Sequence, residues 1–457
     1  MMQQNSLHVV ILAAGQGTRM YSKLPKVLHT LGHKPLLQHV VDTAQQLAHQ
    51  ITIIYGHQGE LVRQALSDYP VNWAYQDEQL GTGHAVQQAL PFIKSDEQVL
   101  VLYGDVPLIQ VATLQQLVAN HDPSGVSWLT AYVNNPEGLG RILRDYSDQP
   151  LAIIEEKDAS THQKQINEVN TGICLFSAEF LQYYLPKLGN DNQQQEYYLT
   201  DLFAQALTSG RTIHTHQVND AYEIQGVNTQ RDLVCVERYW QQSQACALLD
   251  RGLSIKDDKR VDIRGELNFG YDCQVDIDVI IEGCNQIGDD CYIGPHCQLK
   301  NVQLGNGVVI KGQCVIEDAV IGDGCQIGPF ARIRPGTHLD SDVKVGNFVE
   351  VKDSHFQKGS KANHLSYIGN ANLGQDVNIG AGTITCNYDG ANKHTTTIED
   401  NAFIGSITAL VAPITIGSGA TIGAGSTLSK DAPAGQLTLA RAKPVTIQSW
   451  QRPQKES

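Results

Sequence analysis

A glycine-rich turn near the start of the chain, followed by two cations, has the residue types that bind phosphate. The run Leu12-Ala13-Ala14-Gly15-Gln16-Gly17-Thr18-Arg19-Met20 follows an apolar stretch and precedes Lys26. Glycine lets backbone N–H groups approach phosphate oxygens, and Arg19 and Lys26 could neutralise the charge on a leaving pyrophosphate. The turn is neither a Walker loop nor the dinucleotide fingerprint, because no Gly-Lys-Ser/Thr follows and Met20 replaces the third glycine. A tight turn with two solvated cations is the alternative.

A carboxylate follows a later apolar stretch, in the run Tyr103-Gly104-Asp105. Magnesium prefers few protein carboxylates together with substrate phosphates, so Asp105 could hold Mg²⁺. The alternative is a helix N-cap ahead of Pro107.

His364 lies in a lysine-rich segment of the second half, and it is a candidate general base. Acyl transfer to an amine needs a base that keeps the amine neutral and donors for the tetrahedral oxyanion. An imidazole can accept that proton near neutral pH. A surface histidine is the alternative, since the chain has 16 histidines. Cys386 lies in a second polar segment, but no neighbouring base indicates a catalytic thiol.

In the first half, apolar runs alternate with helical patterns. Val9–Leu12, Ile51–Tyr55, Val71–Tyr75 and Val99–Tyr103 have the pattern of buried strands. Strands that alternate with helices predict a parallel sheet covered on both faces, with ligands bound beyond the carboxyl ends of its strands. The turn after Leu12 and the run that ends in Asp105 both occupy that position.

The second half repeats every six residues. Ile287-Gly288, Ile293-Gly294, Ile321-Gly322 and Ile327-Gly328 begin the pattern, and Ile416-Gly417 and Ile422-Gly423 resume it. An aliphatic residue every six positions with glycine next to it is typical of a hexapeptide β-helix, in which three hexapeptides make one triangular coil. The same period places four cysteines inside the coils as small core residues rather than metal ligands: Cys291, Cys297, Cys314 and Cys325.

The six-residue pattern breaks at 351–365 and at 386–394. Insertions in a solenoid map to loops, and loops on a rigid scaffold often carry function. The first break holds Lys352 and His364, and the second reads CNYDGANKH. Between the two halves, residues 229–251 predict a linker helix that ends at Gly252.

Composition limits the class of protein. The 457 residues are 41% hydrophobic and 18% charged, and the net charge is −15, opposite in sign to proteins that mainly bind nucleic acid or anionic lipid. The apolar run at 9–14 has no basic flank and is shorter than a signal-peptide core, so we expect no leader segment. No apolar stretch approaches the length of a membrane span, and the cysteine spacing is not that of a secreted scaffold. We therefore expect a cytoplasmic protein without nucleic-acid or membrane partners.

Several motifs then match known families. LAAGxGTRM with Pro25-Lys26 is similar to the signature of sugar-phosphate nucleotidyltransferases. Together with the hexapeptide half, residues 8–445 resemble the family of bacterial bifunctional N-acetylglucosamine-1-phosphate uridylyltransferase / glucosamine-1-phosphate N-acetyltransferases. The motifs most specific to that family are LGTGHA at 80–85, RPG at 334–336, VGNFVE at 345–350, KGSKANHLSY at 358–367 and NIGAGTITCNYDGANK at 378–393.

The resemblance implies a fold, a domain division and an assembly. The fold is an α/β Rossmann-like nucleotidyltransferase domain over 1–228, a linker helix over 229–252 and a left-handed parallel β-helix of hexapeptide repeats over 253–457 with acetyltransferase activity. The family is trimeric, so the resemblance also implies a homotrimer.

For the first domain the resemblance implies a UTP and N-acetylglucosamine 1-phosphate site. The residues around the UTP phosphates and base would be Leu12, Ala13, Ala14, Gly15, Lys26, Gln76, Gly81, Thr82, Tyr103 and Gly104. N-acetylglucosamine would lie against Gly140, Glu155 and Asn170, while Asp105 and Asn228 would hold Mg²⁺. Arg19 and Lys26 would stabilise the transition state as the sugar phosphate displaces pyrophosphate.

For the second domain the resemblance makes His364 the general base. Glucosamine 1-phosphate would be held by Arg334, Lys352, Tyr367 and Asn378, and acetyl-CoA by Ala381, Asn387, Tyr388, Ser406, Ala424 and Arg441. Ala381 and Ala424 also suit the small position of a β-helix coil.

The implied function is two-step synthesis of UDP-N-acetylglucosamine for the cell envelope. Acetyl transfer from acetyl-CoA to glucosamine 1-phosphate would precede uridylyl transfer from UTP. The alternative is a nucleotidyltransferase with one activity, whose β-helix is structural or regulatory.

Overall fold

The computed structural model describes residues 6–56, 58–453 and 455. Residues 1–5, part of the segment searched for a leader, lie outside this range. The chain divides into two compact units, residues 1–240 and 241–457. The division falls within the helix Gln230–Asp250, which was predicted over 229–251 and is followed by Gly252 at φ +100°. The three-part division into 1–228, 229–252 and 253–457 stays a prediction.

A twisted sheet forms the centre of the first unit. Its main strands lie side by side in the order Ile213–Gln217, Val126–Tyr132, Glu168–Ser177, Gln98–Tyr103, Leu7–Leu12, Gln50–Tyr55 and Asn72–Tyr75. The hairpin Arg141–Arg144 with Pro150–Ile154 joins it through Glu168–Ser177, and Thr30–Leu31 pairs separately with Lys34–Pro35.

The four strands predicted from the sequence pair in parallel, and a further strand that was not predicted runs the other way. Glu168–Ser177 runs antiparallel to both Gln98–Tyr103 and Val126–Tyr132. A parallel neighbour needs a long crossover, usually a helix, whereas this strand is entered from the hairpin through the 3₁₀ turn Gln163–Gln165. The sheet is therefore mixed, as in many α/β domains.

Helices cover both faces of this sheet, as the alternation predicted. The α-helices of the unit are Leu36–Gln45, Gly59–Ala65, Thr82–Gln87, Val111–Ala119, Ala178–Tyr184 and Asp201–Thr208. Its 3₁₀ turns are Thr18–Met20, Lys26–Leu28, Leu90–Phe92, Gln163–Gln165, Leu185–Lys187 and Ala221–Ile224. Val9 and Ile11 pack with Leu37 on one face, and Val10 packs with Phe180 on the other. Successive residues of a strand point to opposite faces, so both layers meet the same central strand.

The second unit is a parallel β-helix. One face consists of Ser254–Ile255, Gln274–Val275, Tyr292–Ile293, Val309–Ile310, Gln326–Ile327, Lys344–Asn347, Lys361–His364, Asn378–Ile379, Phe403–Ile404, Thr421–Ile422 and Leu437–Thr438. The other two faces begin with long strands that serve both, Val261–Phe269, Val279–Ile287, Gln298–Leu304 and Val315–Ile321.

Beyond Ile321 these two faces separate. One continues as Arg332–Ile333, Glu350–Lys352, Tyr367–Gly369, Ile384–Cys386, Ala409–Val411 and Thr427–Leu428. The other continues as Thr337–Leu339, His355–Phe356, Ala371–Leu373, Thr396–Ile398 and Ile414–Ile416. The strand pairings between coils are parallel throughout the described part of this unit; for example, Val309 pairs with Gln326.

The interior of the coils confirms the structural interpretation of the cysteines. Cys291, Cys297, Cys314 and Cys325 are all buried with free thiols among the stacked aliphatic residues. Burial raises the pKa of Cys291 and of Cys325 to about 11, so these thiols stay protonated near neutral pH.

The first of the two predicted breaks is not an insertion. Residues 351–365 form regular strands, because Phe356, Ser360 and Ala362 occupy the interior positions that aliphatic residues fill elsewhere. The second break is a true insertion: Ile384 pairs with Ala409, and Tyr388 bridges to Lys393 within the extra loop. Among the described residues, no helix combines the length and apolar character needed to cross a bilayer.

Candidate active sites

A cavity of about 290 Å³ opens at the carboxyl ends of Leu7–Leu12 and Gln98–Tyr103. Ten of the predicted nucleotide-site residues line it: Leu12, Ala13, Ala14, Gly15, Lys26, Gln76, Gly81, Thr82, Tyr103 and Asp105. Sequence reasoning missed Gln79 and Glu196, which also line it and carry no motif of their own. Gly104 lies beside this wall, and its N–H donates to the Leu12 carbonyl at 2.9 Å.

A second opening adjoins this cavity and shares Gly15, Lys26, Gln79 and Glu196 with it. Its other walls are Gln16, Gly17, Thr18, Arg19, Glu78, Leu80 and Asn228. Gly17 has φ +62°, and a Cβ there would lie 2.6 Å from the Lys26 Cβ. Glycine at this position therefore allows Lys26 to lie against the turn.

Lys26, Asp105, Asn228 and Arg19 form one polar cluster at this opening. Lys26 Nζ contacts the Asp105 carboxylate and donates to Asn228 Oδ1 at 3.1 Å. Arg19 donates to the same Asn228 oxygen at 3.0 Å. Two cations and two oxygen ligands, predicted from three separate segments, thus lie within hydrogen-bonding distance. The N-cap alternative for Asp105 is wrong, because the next helix begins at Val111.

The backbone fixes the two oxygen ligands of this cluster. The Val227 N–H donates to the Asp105 carbonyl at 2.9 Å, and the Asn228 N–H donates to Asp232 Oδ2 at 3.0 Å. The position of Asn228 therefore depends on the cap of the helix Gln230–Asp250 as well as on the sheet.

Gln76 and Gly81 lie at the other end of the cavity. The Gln76 side chain is 3% exposed, and its amide donates to the Gly81 carbonyl at 3.3 Å. Gly81 has φ +106°, and a Cβ there would lie 2.7 Å from the Tyr197 carbonyl oxygen. Leu199 N–H donates to the Thr82 hydroxyl at 3.1 Å, which fixes the start of the helix Thr82–Gln87.

The three residues predicted for the sugar form a separate group beside the cavity. The Asn170 N–H donates to the Gly140 carbonyl at 2.8 Å, and a Cβ on Gly140 would lie 3.4 Å from the Glu155 carboxylate. Burial raises the pKa of Glu155, whose carboxylate accepts from Thr200 at 3.1 Å. Gly172, whose N–H donates to Asn170 Oδ1, packs against the Tyr103 ring and so connects this group to the cavity wall.

In the second unit, His364 is paired with an amide. His364 Nδ1 lies 2.9 Å from Asn347 Oδ1, and the two residues are register partners on neighbouring coils. Because an amide oxygen can only accept, this contact favours the imidazole tautomer with hydrogen on Nδ1, which leaves Nε2 as the acceptor. Sequence reasoning missed Asn347, although it lies in the quoted VGNFVE motif.

Three cations lie near one another on the Glu350–Lys352 side of the β-helix. The Lys393 ammonium lies beside Lys352 and lowers its pKa because the two charges repel, and the charge of Arg334 lowers it further. Arg334 also donates to Glu350 at 2.7 Å. Like charges held together in this way suit a phosphate dianion. Sequence reasoning missed Lys393, because only the inserted loop brings it back to Lys352.

The other two residues predicted for the sugar phosphate lie on different faces of the β-helix. Two residues predicted for acetyl-CoA lie at the start of the insertion. Tyr367 pairs with Glu350, and Asn378 pairs with Lys361 on another face. Asn387 is 7% exposed and donates to Asn370 Oδ1 at 2.6 Å, so it anchors the insertion to the preceding coil. Tyr388 is exposed, with its hydroxyl bonded to the Gly390 carbonyl at 2.6 Å.

The other residues predicted for acetyl-CoA follow one corner of the β-helix. Ile407 N–H donates to the Ala381 carbonyl at 2.7 Å, and Gly425 N–H donates to the Ser406 carbonyl at 2.8 Å. A Cβ on Gly405 would lie 2.5 Å from the Ala424 nitrogen, and one on Gly425 would lie 3.7 Å from Arg441 Cδ. Ala381, Ser406, Ala424 and Arg441 are therefore stacked on successive coils.

Comparison with protein families matches both units. The MobA-like NTP transferase domain matches residues 9–167, the GMPPB C-terminal domain matches 263–358, and the bacterial transferase hexapeptide (six repeats) matches 395–430.

Two relatives match almost the whole chain. A bifunctional protein GlmU from Marinobacter nauticus is 51% identical over 450 residues, which cover 98% of this chain and 99% of the relative. A bifunctional protein GlmU from Cellvibrio japonicus is 53% identical over 452 residues, which cover 99% of this chain and 100% of the relative. Among solved structures, a nucleotidyl transferase from Methanothermobacter thermautotroptrophicus matches with a TM-score of 0.39 and 20% identity, over 52% of this chain and 99% of its own.

Proposed function

Because the chain belongs to the bifunctional GlmU family, we infer that it is a two-activity transferase that makes UDP-N-acetylglucosamine. Its hexapeptide unit transfers the acetyl group of acetyl-CoA to glucosamine 1-phosphate. Its nucleotidyltransferase unit then couples N-acetylglucosamine 1-phosphate to UTP and releases pyrophosphate. The residue roles that follow are our proposals for how the two sites perform these reactions.

For uridylyl transfer we propose that the first unit works by positioning and charge neutralisation. The sugar phosphate oxygen attacks the α-phosphorus of UTP and pyrophosphate leaves, so no covalent protein intermediate is needed. The turn Leu12 to Gly15 would cradle phosphate oxygens with its backbone N–H groups. Arg19 and Lys26 line the adjoining opening and would neutralise the charge that builds on the leaving pyrophosphate. Gln76, Gly81 and Thr82 would border the base, and Gly140, Glu155 and Asn170 the sugar.

Magnesium fits the oxygen ligands of this site. The Asp105 carboxylate and the Asn228 amide oxygen both contact one cationic group, the Lys26 ammonium, and this convergence of two oxygens on a positive charge supports the proposal. Carboxylate and carbonyl oxygens are the ligand types that Mg²⁺ takes beside substrate phosphates. When bound by Asp105 and Asn228, Mg²⁺ would stabilise negative charge on the phosphates. Lys26 would then be released to contact the phosphates themselves.

For acetyl transfer we propose that His364 Nε2 accepts a proton from the glucosamine amine as the nitrogen attacks the thioester carbonyl. The C–S bond of the tetrahedral intermediate then breaks, and the departing CoA sulfur takes the proton back from the imidazolium. Asn347 would hold the imidazole in the required tautomer through the 2.9 Å contact at Nδ1. Arg334, Lys352 and Lys393 would bind the phosphate, with Tyr367 and Asn378 beside the sugar. The stacked corner of Ala381, Ser406, Ala424 and Arg441, together with Asn387 and Tyr388, would border acetyl-CoA.

We propose a homotrimer on the basis of an exposed apolar corner. Phe330, Phe348, Leu365 and Ile407 are between 46% and 69% exposed, and all four have positive φ. The rings of Phe330 and Phe348 stack at 5.1 Å. Residues other than glycine rarely adopt positive φ, and β-branched residues such as Ile407 do so least often. A row of exposed apolar side chains held in this strained backbone is suited to contact with a second copy of the chain. Light scattering should give three chains per particle, and Phe348→Asp with Leu365→Asp should give fewer.

The ten cysteines are free thiols, which suits the reducing cytoplasm, and we propose that compartment.

Two separate polar groups carry the proposal, Lys26–Asp105–Asn228 in the first unit and His364–Asn347 in the second. The test is to incubate the purified full chain with glucosamine 1-phosphate, acetyl-CoA, UTP and Mg²⁺ and to measure free CoA and pyrophosphate separately. We expect CoA without UTP, and pyrophosphate without acetyl-CoA when N-acetylglucosamine 1-phosphate is supplied. Pyrophosphate without any CoA release would favour a nucleotidyltransferase with one activity.

A further inference from the structure

Two histidines and an aspartate lie together on the β-helix, apart from every residue assigned above. His338 Nε2 lies 3.2 Å from Asp340 Oδ1, and His355 Nε2 lies 2.9 Å from the same oxygen. The two imidazole rings meet edge to face with their centroids 4.9 Å apart. The side chains are 51%, 35% and 43% exposed for His338, Asp340 and His355, so a small ion can reach them.

The coil register places these side chains together. His338 and His355 are direct partners on the parallel strands Thr337–Leu339 and His355–Phe356. The Asp340 N–H donates to the Phe356 carbonyl at 2.9 Å, which fixes the aspartate beside the end of the first strand. All three ligands therefore stand on a rigid ladder, and Leu339 and Phe356 are buried beneath it.

The distances suit a tetrahedral metal. Ligands at about 2.0–2.1 Å from Zn²⁺ are about 3.3–3.4 Å apart in a tetrahedron. The 3.2 Å contact between His338 and Asp340 is close to that value, whereas the 2.9 Å contact of His355 is a hydrogen bond that would lengthen slightly around an ion. One atom from each of the three residues lies within 4.8 Å of the others. Imidazole nitrogen with one carboxylate oxygen is a ligand set for zinc and neighbouring transition metals, whereas Mg²⁺ and Ca²⁺ prefer oxygen ligands alone.

We propose that His338, Asp340 and His355 form a binding site for a divalent transition metal of the zinc class, with water completing the coordination. The ion links two neighbouring coils of the β-helix. This site is separate from the proposed magnesium ligands Asp105 and Asn228, and none of its three residues belongs to either candidate active site.

The test uses the full chain after EDTA treatment and buffer exchange. Calorimetric titration with ZnCl₂ should show one more bound ion per chain in the wild type than in the double variant His338→Asn with His355→Asn. Zinc at the exposed cysteines, such as Cys284, would occur in both proteins and cancel in the difference. X-ray absorption of the additional zinc ion bound by the wild type should show imidazole nitrogen and oxygen ligands, without sulfur. Excess Mg²⁺ should not displace this ion.

The chain offers a matched control. His296 Nδ1 lies 3.4 Å from Asp278 Oδ2, a histidine–aspartate pair without a second histidine. His296→Asn should bind as much zinc as the wild type, and Asp340→Asn should weaken the extra ion at least about tenfold. Both acetyl and uridylyl transfer should persist in the double variant, which shows that it is folded. Equal zinc stoichiometry in wild type and double variant, or sulfur in the coordination shell, would overturn the site.

Discussion

Lys26 Nζ donates to Asn228 Oδ1 at 3.1 Å although the two residues are 202 positions apart in the chain. Asp105 contacts the same ammonium, so a lysine from the glycine-rich segment meets two oxygen ligands from distant segments. This arrangement predicts that removing one charge of the group leaves the others unbalanced and lowers uridylyl transfer.

The first prediction concerns Asp105→Ala. Loss of the carboxylate removes a magnesium ligand and leaves the Lys26 ammonium without its anionic partner. We expect Mg²⁺-dependent pyrophosphate release to fall by at least about a hundredfold, while CoA release is unchanged. The measurement is initial rates of both products over a Mg²⁺ series. An equal fall in both activities of a folded assembly would contradict two independent sites.

The second prediction concerns His364→Ala. Removing the base should lower acetyl transfer by about 10² to 10⁴-fold and leave uridylyl transfer intact. Asn347→Ala should cause a smaller loss, because the imidazole remains but its tautomer and orientation are no longer fixed. The pH profile of CoA release separates the two variants. A profile for Asn347→Ala identical to that of the wild type would remove Asn347 from the mechanism.

The third prediction concerns Lys393→Ala. Lys393 lies beside Lys352, and its charge helps to bind the phosphate of glucosamine 1-phosphate in our proposal. We expect KM for that substrate to rise about tenfold to a hundredfold, with a smaller change in kcat. Lys358→Ala is the control, because Lys358 is a well-exposed lysine whose ion pair is with Asp342 at 3.8 Å. A similar KM in both variants would contradict the role of Lys393.

Much of the first unit could be predicted because its strands and the candidate site residues that follow them are close together in the sequence. Apolar strands and the residues that follow them are adjacent in sequence, so Gly15 and Asp105 could be placed at one edge of the sheet. The direction of the strand Glu168–Ser177 could not be predicted from the sequence, because it depends on where the preceding hairpin joins the sheet.

In the second unit the six-residue period predicted the coils but not every interior residue. Phe356 and Ser360 are fully buried although neither is aliphatic, so the sequence pattern wrongly indicated an insertion there. Lys393 lies near Lys352 because the inserted loop folds back, and the six-residue period of the sequence does not predict how that loop folds. Sites built across coils are therefore visible only once the register is known.

The fourth prediction concerns pH and the stability of the first unit. Burial lowers the pKa of His121 from 6.5 to about 4, and its Nδ1 lies 2.8 Å from the Ser127 hydroxyl. Below pH 6.5 the unfolded chain takes up a proton that the folded chain does not, so stability falls as the pH drops from 6.5 towards 4. The nearby charge of Asp122 opposes this shift and that of His214 adds to it.

His121→Gln should remove this dependence. Lowering the pH from about 7 to about 4.5 should reduce the free energy of unfolding of both proteins. We expect the reduction to be about 1–2 kcal/mol smaller in the variant than in the wild type, after allowance for solvent screening. Urea unfolding followed by circular dichroism at the two pH values measures the difference. His162→Gln, at an exposed histidine, should keep the wild-type loss. Parallel losses in His121→Gln and the wild type would show that other groups cause the acid sensitivity.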